Sequence, residues 1–241
     1  MTTAQIAVVT GASRGLGLAL ADALAGAGYG LIIDARDERA LRAAATGLRA
    51  RHGLDERAVI ALPGDVTDPL HRDDLAAAAA ARGGAILLVN NAGTLGASPL
   101  PALAEYPLDD LRAAFEANVV APIALTQLLL PDLRRLGGAV LNITSDAAVE
   151  PYQGWSGYGA AKAALEQASN VLAAEEPAVR VWRVDPGDMR TQMHQEAFPG
   201  EDISDRPLPE SVAPAFLRLI SERMPSSRYR AADLMPAGAR P

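Results

Sequence analysis

The amino-acid sequence predicts an α/β protein built on a single doubly wound parallel sheet with helices on both faces. Three observations predict it. Short β-branched runs alternate along the chain with longer Ala-, Leu- and Arg-rich segments of helical period. The short runs are near-continuously apolar, as in parallel strands covered on both faces, and lack the alternation of a half-exposed strand. Between the first run and the first helical segment lies a turn with three glycines, Thr10-Gly11-Ala12-Ser13-Arg14-Gly15-Leu16-Gly17.

Taken in order, residues 6–9 form the first buried strand and residues 15–27 the first helix. Residues 31–33 and 38–51 repeat the pair. Residues 59–62, 86–89, 140–143 and 179–184 carry the same strand signature. The segments between them fit right-handed crossovers. The alanine run 76–81 reads as a high-propensity helix laid against the sheet. No repeat or linker interrupts the chain, so residues 1–241 are expected to form one domain. The acidic, Pro-rich stretch 199–209 is expected to be a mobile loop, and the segment 189–209 a lid over a substrate.

A chain of 241 residues can bury a sizeable core. Apolar residues make up 49% and charged residues 21%, a soluble globular balance. The net charge is −7 and the arginines form no stripe, which points away from nucleic acid and anionic membranes. Without cysteine there are no disulfides, thiol catalysis or thiolate metal sites. No metal-ligand cluster is evident. No signal-like N-terminus or membrane-length apolar run is seen, so a cytoplasmic protein is expected.

The glycine turn follows a strand and opens a helix. Its glycines permit a tight turn, close approach of backbone to a pyrophosphate, and close helix–strand packing. The helix start supplies unpaired N–H donors and a partial positive charge. This is the layout of a Rossmann-type dinucleotide site, with Gly11, Ser13, Arg14, Gly15, Leu16 and Gly17 as the phosphate cradle. At the end of the second strand, Asp34-Ala35-Arg36 offers both an acid and an arginine. With Ala35 at the ribose-facing position, Arg36 and Arg14 would hold a 2′-phosphate, and NADP(H) is the expected cofactor. A shift of one residue would bring Asp34 to the ribose and select NAD(H).

In this order the motifs resemble the tyrosine-dependent short-chain dehydrogenase/reductase family over nearly the whole chain. They are the glycine turn, Asp65-Val66, Asn90-Asn91-Ala92-Gly93, Asn118, Ser145, Tyr158-x-x-x-Lys162 and Pro186-Gly187-x-x-x-Thr191. The resemblance implies that Asp65 and Val66 contact the adenine, and that Asn90, Ala92 and Gly93 line the adenosine side. It places Pro186, Gly187 and Thr191 at the nicotinamide carboxamide. It further implies catalysis by Asn118, Ser145, Tyr158 and Lys162, with Tyr158 and Lys162 also touching the cofactor. Residues 154–158 and 172–181 are similar to the matching stretches of the sepiapterin reductase branch. The acid with which that branch anchors its pterin is missing from residues 226–231, where Ser-Ser-Arg-Tyr-Arg-Ala stands.

Lys162 is the chain's single lysine; the other basic residues are all arginine. That points to a position where a bulky, forked guanidinium cannot replace an ammonium. A free phenol titrates near ~10, and a cation one helical turn away is expected to lower that of Tyr158. Ser145 would polarise the substrate oxygen, and the resemblance implies that Asn118 holds a water behind the lysine. Such a centre reduces a carbonyl or oxidises a secondary alcohol with NADP(H). An NAD-dependent alcohol dehydrogenase is the alternative. A non-catalytic nucleotide sensor of the same fold would show a damaged Ser/Tyr/Lys set, and this set is intact. Tyr152, Trp155, Met193, His194 and Phe198 are candidates for the substrate wall. The resemblance also implies a homodimer or homotetramer, paired through the helices carrying Asn118 and Tyr158.

Overall fold

A computed structural model of the chain describes residues 5–235. Seven parallel strands form one sheet in the order β3-β2-β1-β4-β5-β6-β7. They are β1 (Ile6–Val9), β2 (Gly30–Ala35), β3 (Val59–Pro63), β4 (Ala85–Asn90), β5 (Ala139–Ile143), β6 (Arg180–Asp185) and β7 (Ser227–Arg230). The order runs outward from β1 in one direction and from β4 in the other. The reversal leaves a crevice beyond their carboxyl ends, the usual ligand position in such sheets.

Successive side chains of a strand point to opposite faces, and the core divides accordingly. Ala7, Val9, Leu31 and Ile33 pack with Leu20, Leu24, Leu41, Leu48 and Phe216. These helical residues lie on α1 (Gly15–Gly26), α2 (Glu38–His52) and α8 (Ala213–Ser221). Ile6, Val8, Ile32 and Val140 face the other way, toward Leu75, Leu125, Leu129 and Leu133. Those lie on α3 (Pro69–Ala80) and α5 (Ala121–Leu136). The doubly wound sheet is therefore as the sequence predicts.

Three differences have physical causes. Helix α3 begins at Pro69, well before the alanine run, because Asp68 caps it and proline is tolerated in the first turn. Strand β7 escapes the apolar signature because it is a short edge strand reading Ser-Arg-Tyr-Arg. The third is a helix of 29 residues, Leu108–Leu136, long and apolar enough to cross a membrane by length and composition, where the sequence shows no such run. It comprises α4 (Leu108–Phe115), a π-helical turn (Glu116–Val120) and α5, and Glu116 and Asn118 break up its apolar pattern. Its Leu125, Leu129 and Leu133 belong to the core on one side of the sheet, while Val120 and Leu128 stand exposed.

The stretch 199–209 is not a structureless loop. Arg190 N–H donates to the Pro207 carbonyl at 2.8 Å, Arg206 N–H to that of Ile203 at 3.0 Å, and Ile203 is buried. Ahead of it stands the short helix α7 (Gln192–Ala197), capped by the Thr191 hydroxyl.

Candidate active site

A cleft of about 830 Å³ opens over the carboxyl ends of the central strands. At one end the glycine turn passes through left-handed backbone at Gly11 (φ +67°) and Gly15 (φ +57°). A Cβ on Gly17 would overlap the Gly11 carbonyl oxygen, so the turn can close only with glycine there. Helix α1 starts with no side-chain cap and no acid in its first turn. Its first N–H groups are thus left to an anion in the cleft. Arg14 and Arg36 line the same end and are exposed.

Asp34 is turned beneath the glycine turn. Only 1% exposed, it accepts the Gly11 N–H at 2.7 Å, and its other oxygen lies 3.1 Å from His71 Nε2. Burial pushes its carboxyl above the usual range against the pull of His71 and Gly11, and Asp34 in turn draws His71 upward. The acid braces the loop, which leaves Ala35 and Arg36 at the rim. Asp65 also lines the cleft. Burial works to raise its carboxyl, but the Thr67 amide and hydroxyl, with Arg36 nearby, outweigh it and hold the group low. The Val66 carbonyl is taken by Arg72 at 2.6 Å, while the rest of Val66 borders the cleft.

Asn90 does not line the adenosine side as expected. It is 3% exposed and donates to Asn142 Oδ1 at 2.7 Å, across β4 and β5. A strand alternates its faces, and this residue's turn falls inward. Ala92 and Gly93 do border the cleft, and Asn91 ties the strand end to the Thr10 carbonyl at 2.8 Å. Asn118 is fully buried in the π-helical turn, outside the cleft lining. Its amide donates to the carbonyls of Thr94 at 2.8 Å and Ala114 at 2.9 Å, and its oxygen accepts the Thr94 N–H. The carboxamide therefore fixes the loop after Gly93 and does not present itself to the cleft. Pi-turns of this kind re-aim a helix at functional sites.

Ser145, Tyr158 and Lys162 meet at the other end of the cleft. Ser145 follows β5 and caps a short 3₁₀ turn. Tyr158 and Lys162 lie one turn apart on α6 (Ser156–Glu175), which starts one residue after Trp155. Lys162 is 4% exposed; its Nζ donates to the Ile143 carbonyl at 2.8 Å and stands 5.4 Å from the Tyr158 ring centre. Burial lowers this ammonium to about 8.

Tyr158 corrects an expectation. Its phenol is pushed up from the ordinary value, first by burial and then by the carboxylates of Asp185 and Asp146; only the Ser145 hydrogen bond opposes this. Desolvation governs the phenol. Asp146 was not visible beforehand as part of the site. Its Oδ1 accepts the Ser145 hydroxyl at 3.0 Å and its Oδ2 the Tyr152 hydroxyl at 2.9 Å. Asp185 was missed too, although it directly precedes Pro186-Gly187. It is 5% exposed and accepts the Gly187 N–H at 3.0 Å.

Pro186, Gly187 and Thr191 border the cleft beside Asp185. Gly187 is left-handed (φ +76°) with open space where a Cβ would stand. Trp155, Met193 and His194 line the wall, and Leu95 completes an apolar cluster with Tyr158 and Ala197. Phe198 backs Trp155 and His194 at ring-centre distances of 5.9 and 4.9 Å. Tyr152, also expected in the wall, is exposed and bonded to Asp146 but lies outside the cleft lining. Among the described residues there is no group of three or more His, Asp or Glu placed to hold a metal.

The residues fit a phosphorylated dinucleotide. The uncapped helix start and the glycine backbone suit a pyrophosphate, and two arginines at the rim suit a further phosphate.

Comparison with known proteins places the chain in a family. A family model described as short chain dehydrogenase matches residues 5–202. Sepiapterin reductase of Bos taurus is 35% identical over 204 residues, covering 80% of this chain and 75% of its own length. An alcohol dehydrogenase from the archaeon Thermococcus sibiricus, solved with 5-hydroxy-NADP, superposes with a TM-score of 0.83 at 27% identity, over 94% of this chain and 95% of its own. A short chain dehydrogenase from Shigella flexneri 2a, solved with NADP, gives a TM-score of 0.87 at 29% identity, over 94% and 96%.

Proposed function

The chain belongs to the short-chain dehydrogenase/reductase family of oxidoreductases, and from that premise we propose that it is an NADP(H)-dependent carbonyl reductase, interconverting a carbonyl and a secondary alcohol. The observation that carries this reading is the convergence of Ser145, Tyr158 and Lys162 on one cleft with the uncapped glycine loop.

The reduced nicotinamide, when bound, supplies the hydride. Each remaining task falls to a side chain of the protein. The Tyr158 phenol, held protonated by burial, is the proton donor for the substrate oxygen as negative charge grows there. The Ser145 hydroxyl turns from Asp146 to the same oxygen and stabilises the developing charge. Lys162 keeps one N–H on Ile143 and has two more for a ribose hydroxyl and for the electrostatics of the phenol. Arg14 and Arg36 take the 2′-phosphate that separates NADP from NAD. The wall of Leu95, Trp155 and Met193 favours a carbonyl with an apolar substituent, and Met189, Gln192 and Ala197 of the segment 189–209 border the same space. No acid from β7 reaches the cleft, so a pterin anchored there is not part of the proposal.

Fluorescence titration with NADPH and NADH, followed by turnover of a ketone and aldehyde panel, tests the reading. NADPH is expected to bind at least about tenfold more tightly. Tyr158→Phe is expected to lose about 10³-fold in kcat with cofactor binding retained. Tight binding with no turnover of any carbonyl by the unmodified protein would reduce it to a nucleotide-sensing fold.

A further inference from the structure

Arg228 lies on edge strand β7, and nothing in the proton chemistry above uses it. Its guanidinium nevertheless points inward, with the side chain 25% exposed. Nε donates to Glu166 Oε1 at 2.9 Å. Nη2 lies 3.2 Å from the Ser145 carbonyl oxygen and 3.4 Å from Asp185 Oδ2. The Thr144 hydroxyl donates to the same Glu166 oxygen at 2.7 Å. One guanidinium thus joins the ends of β5 and β6 to α6, where Glu166 stands one turn beyond Lys162. A planar fork with donors on separate arms can hold three acceptors at once; an ammonium cannot hold the same spread.

The neighbours explain why a charge is needed there. Asp185 is buried and borders the cleft beside Tyr158, and its charge is the foremost electrostatic influence on the phenol, ahead of Asp146. Around Asp185 the Gly187 N–H, Arg228 and Arg230 favour ionisation, while burial and Asp146 oppose it. Arg183, opposite Arg228 in the strand register, also acts on Glu166. Around the phenol itself stand Asp185, Asp146, Ser145 and Lys162.

We propose that Arg228 is a positioning residue of the acid–base centre. It fixes the main chain of Ser145 and supplies the counter-charge to Asp185 beside Tyr158. This rests on the reading of Tyr158 as the proton carrier. It assigns to the last strand, where the sequence resemblance called for a substrate-binding acid, a cation that serves the catalytic groups from behind.

The two roles separate by substitution. In the alcohol-oxidising direction the protein carries NADP, whose cationic nicotinamide would draw the phenol down from its buried value, and activity rises with pH as Tyr158 gives up its proton. Arg228→Met leaves Asp185 uncompensated, which strengthens the phenol's hold on that proton. The rise is expected to move up by about one pH unit, with kcat down about tenfold or more and the KM for NADP within about twofold. Asp185→Asn is expected to move the rise down, and the double variant to return it toward the wild-type position. Arg228→Lys keeps the charge and loses the fork, so its rise stays near wild type while kcat falls severalfold.

Thermal unfolding and NADPH binding check that each variant is folded. If Arg228→Met does not fold, Asp185→Asn and Arg228→Lys carry the test. An unmoved rise in folded Arg228→Met, an unmoved rise in Asp185→Asn, or shifts of the same sign in both would overturn the inference. Tyr158→Phe is run alongside: if it keeps the pH-dependent rise, the reading of Tyr158 itself fails, and that failure is distinguishable from the others.

Discussion

At the glycine-loop end of the cleft, Arg14 and Arg36 are exposed and, among the described residues, form no ion pair. At the reaction end, Lys162 is 4% exposed and bonded to a main-chain carbonyl, and Arg228 is bound to two acids and a carbonyl. Free cations in water lose little on binding an anion and gain its charge, so the first end is built to recognise. Cations already paired by the protein change little when a ligand arrives. They set the geometry and the proton affinity of their neighbours, so the second end is built to react.

The comparison breaks most sharply at Lys162. Lys162→Arg keeps the formal charge but replaces a compact ammonium with a fork at a buried position. The Ile143 carbonyl, the Tyr158 ring and the Gly93 backbone leave it little room. The variant is expected to fold, bind NADPH and lose about 10²-fold or more in kcat. Steady-state kinetics with an active ketone from the panel checks it, and normal turnover would show that charge alone suffices at the reaction end.

At the recognition end the reverse holds, since only charge is required. Arg14→Ala and Arg36→Ala are each expected to raise the KM for NADPH about tenfold, and the pair about 10²-fold, with KM for NADH unchanged. An equal loss for both cofactors would mean that these arginines shape the loop and do not read the 2′-phosphate.

The same division explains what the sequence discloses. The glycine turn, Tyr158 and Lys162 are legible because each depends on neighbours within a few positions along the chain. So is the sheet, whose strands announce themselves by continuous apolar runs. Asp34 was ambiguous because its role depends on which face of β2 it occupies, and only the register settles that its carboxylate lies under Gly11. Asn90 was misread for the same reason. Arg228 was illegible altogether: its partners stand up to 83 residues away, on a polar edge strand that no periodicity marks. The upward push on Tyr158 has a similar origin in burial, which sequence spacing does not carry.

The smallest expected effect bears on the cost of keeping a cation at the reaction end. Burial lowers the Lys162 ammonium from 10.5 in the open chain to about 8 in the fold. Below about pH 8 both states hold the proton, and the fold bears the full cost of a buried charge. Between about 8 and 10.5 the folded protein has released the proton while the unfolded chain still binds it, so stability rises with pH. Above 10.5 both are neutral and the cost is gone. Lys162→Met removes the charge at similar length. The charge cost is about 3 kcal/mol, offset by about 1 kcal/mol for the lost bond to Ile143, so the variant is expected to be about 2 kcal/mol more stable at pH 7 and inactive. Thermal unfolding without added cofactor checks it. The variant's advantage is expected to shrink between pH 8 and 10.5. Ionisation of Tyr158 in the unfolded chain above about pH 10 destabilises both proteins alike and cancels in the difference. A variant less stable than the parent at pH 7, or an advantage that grows with pH, would show that the ammonium supports the fold, and the contrast between the two ends would then rest on Arg14 and Arg36 alone.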